Sequence, residues 1–165
     1  MNILRKTSPN AKKIKKLVAL DCQLVLSPPC RGQTVPARIT DVYDGDTVTA
    51  VYMINTKTPF LTKIRLDGID TPEIRTRNLA EKTAGLLVRD HVIKLLLEQM
   101  VQIKIIDWDK FGGRIIGRIY RDDKDISAEL IKLGLAKAYD GGKKEDWNDK
   151  ELDKISEFFL KESGL

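Results

Sequence analysis

Three stretches of β-type alternation, residues 35–42, 47–54 and 60–66, follow one another with short breaks, and one long helical pattern separates them from two further strands. That order constrains the fold more than any other feature of the chain. Strands alternating one by one with helices would imply a parallel sheet, whereas strands grouped before and after a single helix imply an α+β, mainly β, arrangement. The helical pattern runs over residues 79–100, with Ala84, Val88, His91, Val92, Leu95 and Leu96 as its core-facing stripe. His91 on that stripe reads as a core or boundary residue rather than a ligand. The later strands fall at residues 101–106 and 114–120, joined by the turn-rich Asp107-Trp108-Asp109-Lys110-Phe111-Gly112-Gly113. A short helix is expected over residues 126–133, capped by Asp125 and ended by Gly134. A last helix starts at Asn148, with Glu151 placed for a capping box and Leu152, Ile155 and Phe159 on one side. Five short strands curled into a small barrel, with helices packed on it, accommodate this order.

At 165 residues and 42% hydrophobic, the chain supports one compact core, and 32% charged residues without low-complexity runs argue against disorder. The net charge of +5 is unevenly placed. Residues 1–34 carry seven basic side chains against Asp21 alone, whereas residues 140–165 carry five lysines against eight acids. The region between is close to neutral, so a phosphate held there depends on a few well-placed groups. The expected division is a basic arm and Pro-rich linker (1–33), a barrel domain (34–140) and a C-terminal amphipathic helix packed on it (141–165). Cys22 and Cys30 are the only cysteines, which excludes a four-cysteine zinc site and allows at most one disulfide. Residues 17–26 loosely imitate a secretion signal, but Asp21 and Gln23 interrupt the apolar run and no small-x-small site follows. No run of about 18 apolar residues is present to span a membrane.

The chemistry concentrates in two segments. In Asp44-Gly45-Asp46, residues two apart point the same way in extended geometry, so both carboxylates could face one point, with Asp70 as a third. Hard oxygen ligands of this kind suit Ca²⁺ or Mg²⁺ and not zinc. Taken alone, Asp-Gly-Asp reads as a hairpin turn before it reads as a ligand pair, since Asp and Gly serve the backbone there. In Ile69-Asp70-Thr71-Pro72-Glu73, Glu73 stands beside a candidate metal ligand, where a carboxylate can orient or deprotonate a water. Arg65, on the face of its strand away from the core, offers a rigid fork of donors for a phosphate, and Arg114 is a candidate second clamp.

Four blocks in order, Val42-Tyr43-Asp44-Gly45-Asp46-Thr47-Val48, Ile64-Arg65-Leu66 through Asp70-Thr71-Pro72-Glu73, Asp109-Lys110-Phe111-Gly112-Gly113-Arg114, and Leu133-Gly134-Leu135-Ala136, resemble the staphylococcal nuclease-like, or thermonuclease, domain. The resemblance covers residues 35–139. It implies a five-stranded OB-type barrel with three helices that cleaves phosphodiesters of DNA, RNA or both using one Ca²⁺ per site. It also implies that Asp46 and Asp70 are metal ligands, that Thr71 adds its backbone carbonyl, and that Asp44 lies close behind them. Glu73 matches the proposed general base, Arg65 and Arg114 match the pair that binds the scissile phosphate, and Lys110 and Tyr139 resemble residues touching the nucleotide phosphate and base. Two glycines precede Arg114 where the best-known member has one, which leaves Arg118 as an alternative occupant. The segment between Glu73 and the long helix is short. A monomer is expected. The alternatives are a non-catalytic OB-type module that binds nucleic acid or protein, and a structural domain whose basic arm alone binds nucleic acid.

Overall fold

A computed structural model of the chain describes residues 27–110 and 112–164. The basic stretch, the signal-like run and Cys22 lie outside the described residues. The elements are β1 (Thr34–Val42), β2 (Thr47–Asn55), β3 (Thr58–Leu66), β4 (Ile69–Asp70), α1 (Leu79–Leu96), β5 (Met100–Trp108), β6 (Arg114–Arg121), β7 (Lys124–Asp125), α2 (Ile126–Lys132), β8 (Lys137–Ala138) and α3 (Asp149–Glu162).

β1 to β3 form an antiparallel meander, β5 pairs with β1, and β6 pairs with β5. A parallel pairing of β3 with β6, Lys63 opposite Arg114, closes the five strands into a mixed OB-type barrel. Closure leaves these strands without a free edge between them, and their alternation follows from it. In β1, Val35, Ala37 and Ile39 are buried while Thr34, Pro36 and Arg38 are exposed. Ile39, Val48, Ile64, Ile103 and Ile115 meet inside with no exposure.

α1 is capped by Asn78, whose side chain accepts from the Ala80 and Glu81 amides. It lays Ala84, Gly85, Val88, Val92 and Leu96 on the barrel. The helix stops at Leu96 rather than near Met100, because Glu98 takes φ 62° and its amide donates to the Ile39 carbonyl, drawing the chain into the sheet. Leu95 is only half-buried. His91 sits at the boundary, its ring edge-on to Phe158 and Phe159 of α3 at 6.2 and 5.9 Å. Asp125 caps α2, and Gly134 turns the chain away from it at φ 74°. α3 carries the capping box of Asn148 and Glu151 and buries Leu152 and Ile155.

Residues 27–32 form a turn fastened to the barrel. Tyr52 Oη donates to the Pro29 carbonyl at 3.0 Å, the Gly32 amide donates to the Ile105 carbonyl at 2.8 Å, and Arg31 pairs with Asp107. No helix among the described residues is long and apolar enough to cross a membrane.

Candidate active site

The β1–β2 turn is held by its own groups. The Tyr43 and Asp44 amides both donate to the Thr47 carbonyl, and the Asp46 amide donates to Asp44 Oδ1 at 3.2 Å. Asp44 therefore secures the turn, as a turn acid does, while its side chain and that of Asp46 line the same cleft. Asp46 points inward. Its Oδ1 accepts from Thr47 Oγ1 at 3.0 Å, and its Oδ2 pairs with Arg65 Nη1 at 2.8 Å. Burial pushes the Asp46 carboxyl up to about 7, and Asp44 adds to this, while Arg65, Thr47 and Lys144 pull the other way.

Gly45 explains why this turn lies where it does. A Cβ there would stand 2.7 Å from Val88 Cγ1 and 2.8 Å from Thr71 Oγ1, so the turn backbone packs directly onto α1 and Thr71. Gly85 of α1 does the same from the other side, since a Cβ there would meet the Pro72 carbonyl oxygen at 2.6 Å. The Asp70–Glu73 stretch is thus seated against two glycine backbones. The Glu73 amide donates to Glu81 Oε1 in the first turn of α1.

Arg65 stands on the outer face of β3, as its parity requires, but it is not a solvated side chain: only 12% of it is exposed. It reaches Asp46, lies 3.6 Å from Asp70 Oδ1, and sits under Tyr139 with its guanidinium 5.9 Å from the ring centre. The covering comes from β8, which pairs with β4 through Ile69–Ala138 and Asp70–Lys137, and from the Tyr139 amide, which donates to the Gly68 carbonyl.

Arg114 opens β6 after a turn in which Gly112 and Gly113 both take left-handed φ, 70° and 77°, a conformation glycine adopts without cost. Asp109 Oδ2 accepts from Arg114 Nε at 2.9 Å and aims the side chain into a cleft of about 360 Å³ shared with Asp46, Arg65 and Glu73. Arg118 lies two strand repeats further on, where its Nη2 donates to Asp67 Oδ2 at 2.6 Å and its Nε faces Asp125 at 3.7 Å. Asp67, otherwise a turn acid, holds Arg118 outside the cleft. Lys110 donates to the Gly141 carbonyl at 3.2 Å, and Tyr139 Oη donates to the Gly142 carbonyl at 2.9 Å; both line the cleft.

Sequence reasoning missed Lys144. Its ammonium lies 2.7 Å from both Asp70 Oδ1 and Glu73 Oε1. Burial depresses this ammonium's pKa, but the hydrogen bonds and charges of Asp70 and Glu73 outweigh burial and the net shift is upward. Nothing in the local pattern of residues 140–147 marks the contact, which spans 71 residues to Glu73. Among the described residues no three carboxylate, histidine or thiol side chains gather as a ready metal site; Arg65 and Lys144 bridge the acids instead.

The family described as staphylococcal nuclease homologue matches residues 63–158. The chain belongs to the staphylococcal nuclease homologues. The family match begins at Lys63, so it includes Arg65, Asp70, Glu73, Arg114 and Lys144 but not the Asp44–Asp46 turn. It is the packing of Gly45 on Thr71 and the Asp46–Arg65 pair that join that turn to the matched part. A similar protein is the probable endonuclease LCL3 of Leptosphaeria maculans, 25% identical over 92 residues, which make up 53% of this chain and 30% of that protein. The chain therefore spans about a third of the length of that protein.

Proposed function

We propose that the chain is a Ca²⁺-dependent nuclease that hydrolyses phosphodiester bonds of DNA, RNA or both. One observation carries this reading: two arginines, two buried carboxylates and one half-exposed carboxylate converge on a single cleft. Arg65 and Arg114 come from the two strands whose parallel pairing closes the barrel. Each is paired with an acid, Asp46 and Asp109, and both side chains line the cleft. Such preorganised donors stabilise the charge that builds on phosphorus at little reorganisation cost. Glu73, with half its side chain exposed, is placed to take the proton from an attacking water, the carboxylate becoming the acid as the new P–O bond forms.

The donor set fits a hard divalent cation. Asp70 is 4% exposed, and among the described residues its Oδ1 faces only two cations, Lys144 at 2.7 Å and Arg65 at 3.6 Å, with no hydroxyl or backbone donor beside it. Asp46, Asp70 and the Thr71 carbonyl would hold the ion, with Asp44 close behind them. When bound, Ca²⁺ would supply positive charge beside the phosphate. Lys144 meanwhile bridges Asp70 and Glu73 and offsets their charges. Tyr139 and Lys110 flank the cleft where a base and a neighbouring phosphate would lie.

The test is cleavage of single-stranded DNA, duplex DNA and RNA in Ca²⁺, in Mg²⁺ and in chelator, comparing wild type with Glu73→Gln and Arg114→Ala. Metal-dependent cleavage is expected, with turnover down on the order of 10² in Glu73→Gln and 10²–10³ in Arg114→Ala. Melting of Glu73→Gln should stay near wild type, because Glu73 is half-exposed. Binding without cleavage in every metal would overturn the enzyme reading in favour of a non-catalytic OB-type module.

A further inference from the structure

Tyr43, the residue before the Asp44-Gly45-Asp46 turn, has no part in the site as described so far. Its surroundings are unusual for a structural tyrosine. Lys63 Nζ lies 5.4 Å from the ring centre and the Arg75 guanidinium 5.2 Å from it. Among the described residues neither cation makes an ion pair, whereas seven of the nine arginines described do. Tyr52, a core tyrosine, donates its hydroxyl to Pro29, and Tyr139 donates to Gly142. The Tyr43 hydroxyl, like that of Tyr120, has no such bond among the described residues, but only Tyr43 of these two lines the cleft. The ring is half-buried, lines the same cleft as Arg65, Glu73 and Arg114, and is fixed through its amide, which donates to the Thr47 carbonyl at 2.9 Å. A ring that lines a cleft beside two cations with no ion-pair partner can take a base on an open face while the cations meet the attached phosphate.

The position along β3 says what. Lys63 and Arg65 are two residues apart on one strand and so project from the same face, about 7 Å apart. Tyr43 packs on the first and Tyr139 on the second. Two tyrosine–cation pairs therefore stand side by side, with the phosphate clamp Arg65 in the pair nearer Tyr139. We propose that Tyr43 is a second base-stacking platform, receiving the nucleotide on the opposite side of the scissile phosphate from Tyr139, with Lys63 and Arg75 holding that nucleotide's phosphate. This rests on the nuclease reading and adds to it a preference: a base free to leave its stack can use the platform, and a paired base cannot.

The experiment uses the full chain with short single-stranded oligonucleotides, reading KM and kcat in Ca²⁺ and binding by fluorescence anisotropy in chelator, for wild type, Tyr43→Ala, Tyr43→Phe and Tyr43→Trp. Loss of one stacked base weakens binding about tenfold. Tyr43→Ala is expected to raise KM and the dissociation constant by that factor at nearly unchanged kcat, while Phe and Trp keep wild-type values. An abasic site next to the cleaved bond, on the side away from Tyr139, should cost wild type the same factor and cost Tyr43→Ala nothing further. On duplex of the same sequence the Ala variant should behave as wild type. If wild type cleaves and Tyr43→Ala shows an unchanged KM, or if Tyr43→Phe loses as much as Ala, the platform is refuted and the nuclease reading stands. If wild type neither binds nor cleaves in any metal, the nuclease reading fails and the platform with it.

Discussion

Replacing Gly85 by alanine sets helix propensity against packing, and the structure gives magnitudes for both. In a helix interior, alanine is favoured over glycine by about 1 kcal/mol. The added Cβ, however, would lie 2.6 Å from the Pro72 carbonyl oxygen, 3.1 Å from Ile74 Cγ2 and 3.2 Å from the Glu73 carbonyl carbon. Carbon and oxygen in weak contact settle at about 3.3 Å or more, so about 0.7 Å of movement is required. The obstruction is backbone on a proline of fixed φ, not the end of a flexible side chain, and overpacking of this kind costs about 1–3 kcal/mol. The packing term wins, leaving a net loss of up to about 2 kcal/mol, or several degrees in a chain of this size. The larger effect falls on function. The displaced segment carries Asp70 and Glu73, and a 1 Å misplacement of a catalytic group costs on the order of 10²-fold in rate. Thermal melting followed by circular dichroism, together with steady-state cleavage, checks both terms. Gly85→Ala should keep its helix content, melt a few degrees low and turn over at least tenfold more slowly. A variant that melts above wild type and cleaves at the wild-type rate would refute the claim that Gly85 is a glycine because it seats the Asp70–Glu73 segment.

Three further predictions follow from the charges of the cleft. Lys144→Met removes the ammonium bridging Asp70 and Glu73; Ca²⁺ affinity by calorimetry should rise about fivefold, since a half-exposed pair is worth about 1 kcal/mol, and an unchanged or weaker affinity would show that Lys144 does not compete for the site. In chelator, the pKa of about 7 at Asp46 means that the folded state holds a proton the unfolded chain releases above pH ~4. The penalty for burying its charge is therefore full above pH 7 and fades as pH falls toward 4, so urea midpoints of wild type relative to Asp46→Asn should rise from pH 7.5 to pH 5; a pH-independent difference would contradict this. Arg114→Ala should lose turnover by 10²-fold or more while Arg118→Ala, which breaks the pairs with Asp67 and Asp125, should lose thermal stability and keep turnover; the reverse pattern would mean that Arg118 is the clamp.

What was legible in the sequence was local. The barrel strands showed because one face of each lies inside a closed sheet, so period-two alternation survives through Val35, Ala37 and Ile39. The Asn148–Glu151 box and the Asp125 cap showed because a cap is completed within four residues. The site was legible as residue types, and its architecture was not, because parity states which face a side chain takes and not what covers that face. Arg65 was correctly placed outside the core, yet β8 and Tyr139 arrive over it from residues 137–139 and leave it 12% exposed. Gly45 read as a turn glycine, yet the need for glycine comes from α1 and Thr71, contacts made across the fold. Charge shows the same limit. Counting residues leaves the barrel close to neutral, which describes an average and not a field. Among the described residues, seven arginines have ion pairs, and the two that do not, Arg75 and Arg77, lie together on the short segment after Glu73. Arg75 and Lys63, both beside the Tyr43 ring, leave positive charge without an ion-pair partner on that side of the cleft. On the proposed nuclease reading, an incoming phosphate backbone would respond to that pairing pattern and not to the net charge of the chain, so the cations that lack partners predict the side from which a strand enters.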